Sequence, residues 1–173
     1  MDSKNENGFT LIELLIVVAI IAIIAAIAVP GLLRARMTGN ETSAIASLKV
    51  TTSSQVAYSS ACGNGGYAAS YVVLGTPPTV GSAGFISADL GTSATPQKSG
   101  YNFTMAGGAG SSAGPNDCNG TATISTYYAS AVPMSLNTSG TRSFAVNAGN
   151  SIWQLTGGTA PTEPFGAPAT TIQ

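Results

Sequence analysis

The hydrophobic and polar positions divide the chain into two parts of different character. From Phe9 to Leu33 nearly every residue is apolar, and Glu13 is the only charged side chain in that run. An apolar run of this length can cross the hydrocarbon core of a bilayer as one helix. The pattern therefore predicts a membrane-spanning segment over residues 9–33.

The free energy of removal from water supports this prediction. Fifteen large aliphatic side chains lie between Leu11 and Leu33. Each contributes about 1.5–3 kcal/mol when it is fully buried. One acidic residue in a spanning helix costs about 2.5–3.5 kcal/mol, and Glu13 lies near one end of the run. Insertion is therefore strongly favoured.

Past Arg36 the pattern becomes that of an amphipathic helix. Apolar side chains recur there at helical spacing, namely Met37, Ala44, Ile45, Leu48 and Val56. Polar side chains lie between them, namely Asn40, Glu41, Ser43, Lys49 and Gln55. We predict one helix from Phe9 to about Tyr58, with one stripe of its second half covered by a domain. Pro30 predicts a bend, because proline removes a backbone donor and crowds the preceding turn.

From Cys62 onward the composition shifts to Gly, Ser, Thr and Ala with scattered β-forming residues. The predicted strands are Tyr71 to Leu74, Tyr101 to Met105, Thr121 to Val132, Arg142 to Val146 and Ile152 to Leu155. We expect the tail from Gly157 to be poorly ordered surface. The predicted fold class is α+β, in which an antiparallel sheet packs on the second half of a long N-terminal helix.

Composition argues against an enzyme and against nucleic-acid binding. Charged residues make up 8% of the chain and the net charge is −1, so no basic footprint for nucleic acid is visible. The absence of histidine excludes Ser-His and Cys-His catalysis. Beyond the helix the carboxylates are Asp89, Asp117 and Glu163, too widely separated for a paired-acid mechanism or a calcium cage. We predict no catalytic residues, no metal site and no cofactor.

The start of the apolar run resembles that of type IV prepilins and type II secretion pseudopilins. The polar leader ends in Gly8, directly before Phe9-Thr10-Leu11-Ile12-Glu13. The resemblance implies that a prepilin peptidase cuts after Gly8 and N-methylates Phe9, and that Pro30 is the helix-bending proline of the family. It also implies a leader (1–8), an assembly helix (9–33), its amphipathic continuation (34–60) and a β-rich head (61–173).

Glu13 is the residue on which assembly is expected to depend. Cleavage after Gly8 would create an α-amine at Phe9, one helical turn away. An unpaired charge in an apolar bundle is costly and a paired one much less so. Pairing of Glu13 with the Phe9 amine of an adjacent subunit resembles the mechanism proposed for pilin assembly. The alternative is a charge tolerated at the interface of an ordinary anchor.

Cys62 and Cys118 lie on the same side of the spanning helix. A disulfide is expected if that side is periplasmic or extracellular, and two buried free thiols are the alternative.

The prediction for function is a structural subunit of a type IV pilus-like filament, not an enzyme. The chain is expected to lie in the bacterial inner membrane as a precursor and then to join an extracellular surface filament, with roles in adhesion or motility. The resemblance implies three partners: the prepilin peptidase, the pilus assembly platform with its ATPase, and other copies of the chain in a helical homopolymer. Two alternatives stay open, a type II secretion pseudopilin and a monomeric membrane-anchored binding or adhesive domain.

Overall fold

The computed structural model describes residues 9–172, which form two compact units divided between Arg36 and Met37. Helix α1 runs over Leu11–Ala61. The predicted long helix is thus confirmed, beginning two residues later and ending three residues later than expected. Pro30 lies inside it, and the bend there stays a prediction.

The second unit, residues 37–172, adds two short helices and eight strands to the end of α1. The helices are α2 (Tyr71–Gly75) and α3 (Ala88–Gly91). The strands are β1 (Gln97–Lys98), β2 (Tyr101–Gly107), β3 (Ala113–Asn116), β4 (Ala122–Ile124), β5 (Tyr127–Pro133), β6 (Arg142–Asn147), β7 (Ile152–Thr156) and β8 (Thr170–Thr171). Six of them form an antiparallel sheet in the order β1-β2-β5-β6-β7-β8, and β3 pairs with β4.

The inner face of the six-stranded sheet packs on the second half of α1. Tyr101 and Phe103 of β2 and Phe144 of β6 are fully buried, as is Leu48 of α1. These side chains belong to one hydrophobic cluster. The α+β fold, with an antiparallel sheet on the second half of a long helix, is therefore confirmed.

The buried stripe of α1 is more polar than the sequence pattern predicted. Glu41 and Gln55 were assigned to the exposed side but are buried, whereas Val56 was assigned to the covered stripe but is half exposed. Gln55 is satisfied by the backbone of Ala68, because its Nε2 donates to the Ala68 carbonyl and its Oε1 accepts from the Ala68 N–H, both at 2.9 Å. A buried polar group costs little when it is hydrogen-bonded in this way.

Glu41 is the buried charge that joins α1 to the sheet. Its Oε2 accepts from Nη2 and Nε of Arg142 at 2.6 and 2.9 Å. Its Oε1 accepts from the backbone N–H and the hydroxyl of Thr141 at 2.8 and 2.9 Å. Both carboxylate oxygens are therefore occupied by partners 100 residues away in the chain.

These contacts also fix the direction of the pKa of Glu41. Burial acts to raise the pKa, but the hydrogen bonds from Thr141 and Arg142, together with the arginine charge, outweigh it and hold the pKa below its usual value. A depressed pKa means that the ionised form stabilises the fold above the ordinary carboxyl pKa of about 4.3. That stability is lost as the pH falls through the lower, folded-state value.

Two strand predictions are wrong in instructive ways. Residues Tyr71 to Leu74 form α2, because the hydroxyl of Ser70 accepts from the Val73 N–H and because Tyr71 and Leu74 are buried one helical turn apart. Local capping and burial thus override the β propensity of Tyr and Val. The stretch predicted as one strand from Thr121 to Val132 is instead β4 and β5, which pair with different neighbours.

The tail from Gly157, expected to be poorly ordered, packs on the outer face of the sheet. Phe165 stacks on Trp153 with ring centroids 5.3 Å apart. The hydroxyl of Tyr128 donates to the Pro161 carbonyl at 2.6 Å. Strand β8 then pairs with β7. The prediction was wrong because the partners of the tail lie on strands far away in the sequence.

Cys62 and Cys118 form a disulfide, so the alternative of two free thiols does not hold. The bridge connects the residue after α1 to the turn between β3 and β4. Beside it, the Tyr58 hydroxyl donates to Oδ2 of Asp117 at 2.7 Å. A bridge that closes a loop of this size stabilises the fold by about 4 kcal/mol in the chain-entropy model.

We expect Glu41→Gln to destabilise the full chain at neutral pH by about 2–3 kcal/mol, because Arg142 and Thr141 lose a charged acceptor. The expected loss lies below that of a fully buried pair, because the Arg142 side chain is 37% exposed. The difference between variant and wild type should shrink as the pH is lowered from about 5 to 3. Chemical denaturation in detergent at several pH values measures both effects. Equal stability of the two proteins at pH 7 would contradict the role given to Glu41.

Candidate assembly site at the start of the helix

The first turn of α1 is closed by two side chains that bond to each other and to the backbone. Thr10 precedes the first helical residue, Leu11, and Glu13 is the third residue of the helix. Oε2 of Glu13 accepts from the Thr10 N–H at 2.9 Å and from the Thr10 hydroxyl at 2.6 Å. The Glu13 N–H in turn donates to Oγ1 of Thr10 at 3.3 Å. This reciprocal arrangement is a capping box, which satisfies backbone donors that the helix itself leaves unpaired.

The capping box leaves part of the Glu13 carboxylate available. Within residues 9–172 both hydrogen bonds of the carboxylate go to Thr10 through Oε2. Glu13 is exposed, and so is Phe9, which precedes the helix with 84% of its surface accessible. Oε1 is therefore available to accept a hydrogen bond from a cation.

The sequence predictions did not identify Thr10. A signal was present, because Ser or Thr followed three residues later by Glu before an apolar run is typical of a capping box. The other predicted site residues fall as follows: Phe9 lies two residues before α1, Glu13 lies in its first turn, Pro30 lies within α1, and Gly8 lies outside the described residues.

The helix after the capping box exposes apolar side chains on every side. The fifteen large aliphatic residues from Leu11 to Leu33 all keep between 48% and 81% of their surface accessible. By length and composition α1 is able to cross a membrane, and its most apolar 18-residue window has a mean hydropathy of 3.2. A helix that is apolar all round belongs in lipid or in the interior of a larger assembly.

Comparison with known proteins agrees with this geometry. Residues 3–29 match the family model described as the prokaryotic N-terminal methylation motif. Over 39 residues the chain is 59% identical to the Type IV wide pilus major component PilA4 of Thermus thermophilus. The N-terminal part of the chain is therefore similar to that of a type IV pilus component. No solved structure matches the chain.

The similarity to PilA4 covers a limited part of both proteins. The alignment with PilA4 includes 22% of this chain and 30% of that protein. It therefore spans less than a third of the length of the relative. The geometry of this segment in the chain is a capping box followed by an exposed apolar helix.

Thr10→Val should loosen the first turn, because valine has a side chain of similar shape without the hydroxyl. A lost cap costs about 1 kcal/mol, which corresponds to about fivefold faster exchange of the amide hydrogens nearest the helix start. Hydrogen exchange of the full chain in detergent micelles measures this change. Thr10→Ser is the matched control and should behave like the wild type. Unchanged exchange in Thr10→Val would show that the capping box does not hold the helix start.

Proposed function

We propose that the chain is a structural subunit of a type IV pilus-like filament. The observation that carries the proposal is a helix segment that exposes apolar side chains all round and overlaps the N-terminal methylation motif. Such a surface is stable in lipid as a single copy and equally stable among identical helices. The match to a pilus component supports the filament as the second of these environments.

In this proposal the precursor rests in the inner membrane until a prepilin peptidase cuts after Gly8 and methylates Phe9. Cleavage places a cationic α-amine near Glu13. Within the subunit Glu13 is held through Oε2 by Thr10, so the amine of a neighbouring copy has Oε1 as its acceptor. The pair fixes the register between subunits, because burial of the aliphatic surface supplies most of the free energy of assembly.

The outer part of the subunit is then the unit formed by residues 37–172. The Glu41–Arg142 pair, of which Glu41 is buried, and the disulfide cross-link this unit internally. Within the described residues no group of three or more potential metal ligands occurs, and no acid, base and nucleophile constellation supports catalysis there. We propose that the partners of the chain are the assembly platform with its ATPase and other copies of the chain.

The test compares wild type, Glu13→Ala and Glu13→Gln in cells. Fibres sheared from the wild type should contain protein that begins at Phe9, carries one N-terminal methyl group and keeps the disulfide, as measured by intact mass spectrometry. Both variants should be processed and remain in the membrane but form few or no fibres. Glutamine can retain the capping box, since its amide oxygen also accepts hydrogen bonds, so its failure would identify the charge as the required property.

Each other outcome removes a defined part of the proposal. Abundant fibres from Glu13→Gln would refute the ion pair while leaving processing intact. Wild-type protein that is processed but stays in the envelope after shearing would indicate a pseudopilin. Mature protein that retains Met1 would indicate a membrane-anchored monomer.

A further inference from the structure

A groove of about 630 Å³ lies between the second half of α1 and the sheet edge formed by β7 and β8. It is lined by Lys49, Thr52, Ser53, Asn150, Ser151, Ile152, Thr171 and Ile172. The whole groove belongs to the unit formed by residues 37–172. Its volume falls in the range of small-molecule sites, and it is separate from the assembly site at the start of α1.

Among the described residues that line the groove, Lys49 is the only one with a charged side chain. The salt bridges within residues 9–172 are Lys98–Asp89 and Arg142–Glu41, and neither involves Lys49. The side chain is exposed, and none of the described residues that line the groove bears a carboxylate side chain. Lys49 is therefore the cation that this lining offers to an anionic ligand.

Hydroxyl and amide groups surround this charge. The hydroxyls of Thr52 and Ser53 donate to the carbonyls one turn back in α1 and keep lone pairs as acceptors. Asn150, Ser151 and Thr171 add an amide and two hydroxyls from the sheet side. Together these groups can donate to and accept from a ligand that itself carries several hydroxyls.

Two apolar side chains complete the lining. Ile152 is buried and Ile172 is half-buried. The apolar surface available to the C–H face of a ring comes mainly from Ile172, because Ile152 is only 6% exposed. A single cation, several neutral hydrogen-bonding groups and a small apolar surface match a sugar ring that bears a carboxylate. A nucleic acid would instead require several basic residues along its phosphates.

We propose that this groove binds acidic saccharides, with the carboxylate of a uronic acid unit on the Lys49 ammonium. The ring hydroxyls bond to the hydroxyl and amide groups of the lining, and the ring face lies mainly on Ile172. A subunit that carries this site binds a carboxylated polysaccharide through its outer domain. The site is formed by one subunit, so binding does not depend on filament assembly.

The experiment titrates trigalacturonic acid into the full chain in detergent and follows binding by NMR or calorimetry. Uncharged galactotriose and sodium acetate are the comparison ligands. Trigalacturonic acid should bind, while galactotriose and acetate should bind at least about tenfold more weakly. Raising the salt concentration should weaken the binding, since Lys49 is exposed.

Three variants localise the binding to the groove. Lys49→Gln should weaken it at least about tenfold by removing the cation, and Ser53→Trp should abolish it by filling the groove. Lys98→Gln is the matched control, because it removes a different surface lysine and should bind like the wild type. Circular dichroism of each variant checks that the fold is kept.

The proposal is overturned by any of three results. These are no binding of trigalacturonic acid to the wild type, equal binding of galactotriose or acetate, and binding that survives both Lys49→Gln and Ser53→Trp. Because the titration uses unassembled protein, failure here leaves the filament proposal untouched, and failure to form fibres leaves this one untouched.

Discussion

The removal of apolar helix surface from water is the constraint on which the rest of the molecule depends. The aliphatic side chains between Leu11 and Leu33 are exposed around the whole circumference of the helix. Their burial contributes on the order of tens of kcal/mol, more than the entire stability of a typical domain. The chain therefore requires either lipid or other apolar helices around this segment. The N-terminal methylation motif overlaps this segment.

Within this apolar surface the polar chemistry is concentrated in one turn. Thr10 and Glu13 satisfy each other and the first backbone donors of α1. Within one chain, the Glu13 carboxylate is thus hydrogen-bonded by its own neighbour Thr10. Because both hydrogen bonds to Thr10 go through Oε2, Oε1 can accept a cation without loss of the cap. The proposed subunit pairing is therefore compatible with helix initiation.

The sequence was informative where structure follows from local pattern. The apolar run and the amphipathic pattern after it were sufficient for α1, and clusters of β-forming residues were sufficient for β2, β6 and β7. The sequence did not predict the burial of groups whose partners are distant in the chain. Glu41 and Gln55 looked like surface residues because the groups that satisfy them, at Thr141, Arg142 and Ala68, cannot be identified from helical spacing. The prediction of a poorly ordered tail was wrong for the same reason, since Trp153 and Tyr128 become partners of the tail only after the sheet has formed. The capping box was predictable, because its signature lies within four residues.

The environment of the apolar helix is open to direct measurement. A photo-crosslinking amino acid in place of Ile20 can be activated in inner membranes and in sheared fibres, and its products identified by mass spectrometry. The same group in place of Val80, a fully exposed residue of the unit formed by residues 37–172, is the control in membranes and should form no lipid adducts. We predict lipid adducts at Ile20 in membranes and subunit-to-subunit adducts in fibres. Lipid adducts alone in both fractions, or none in membranes, would contradict a helix that exchanges lipid for its own kind.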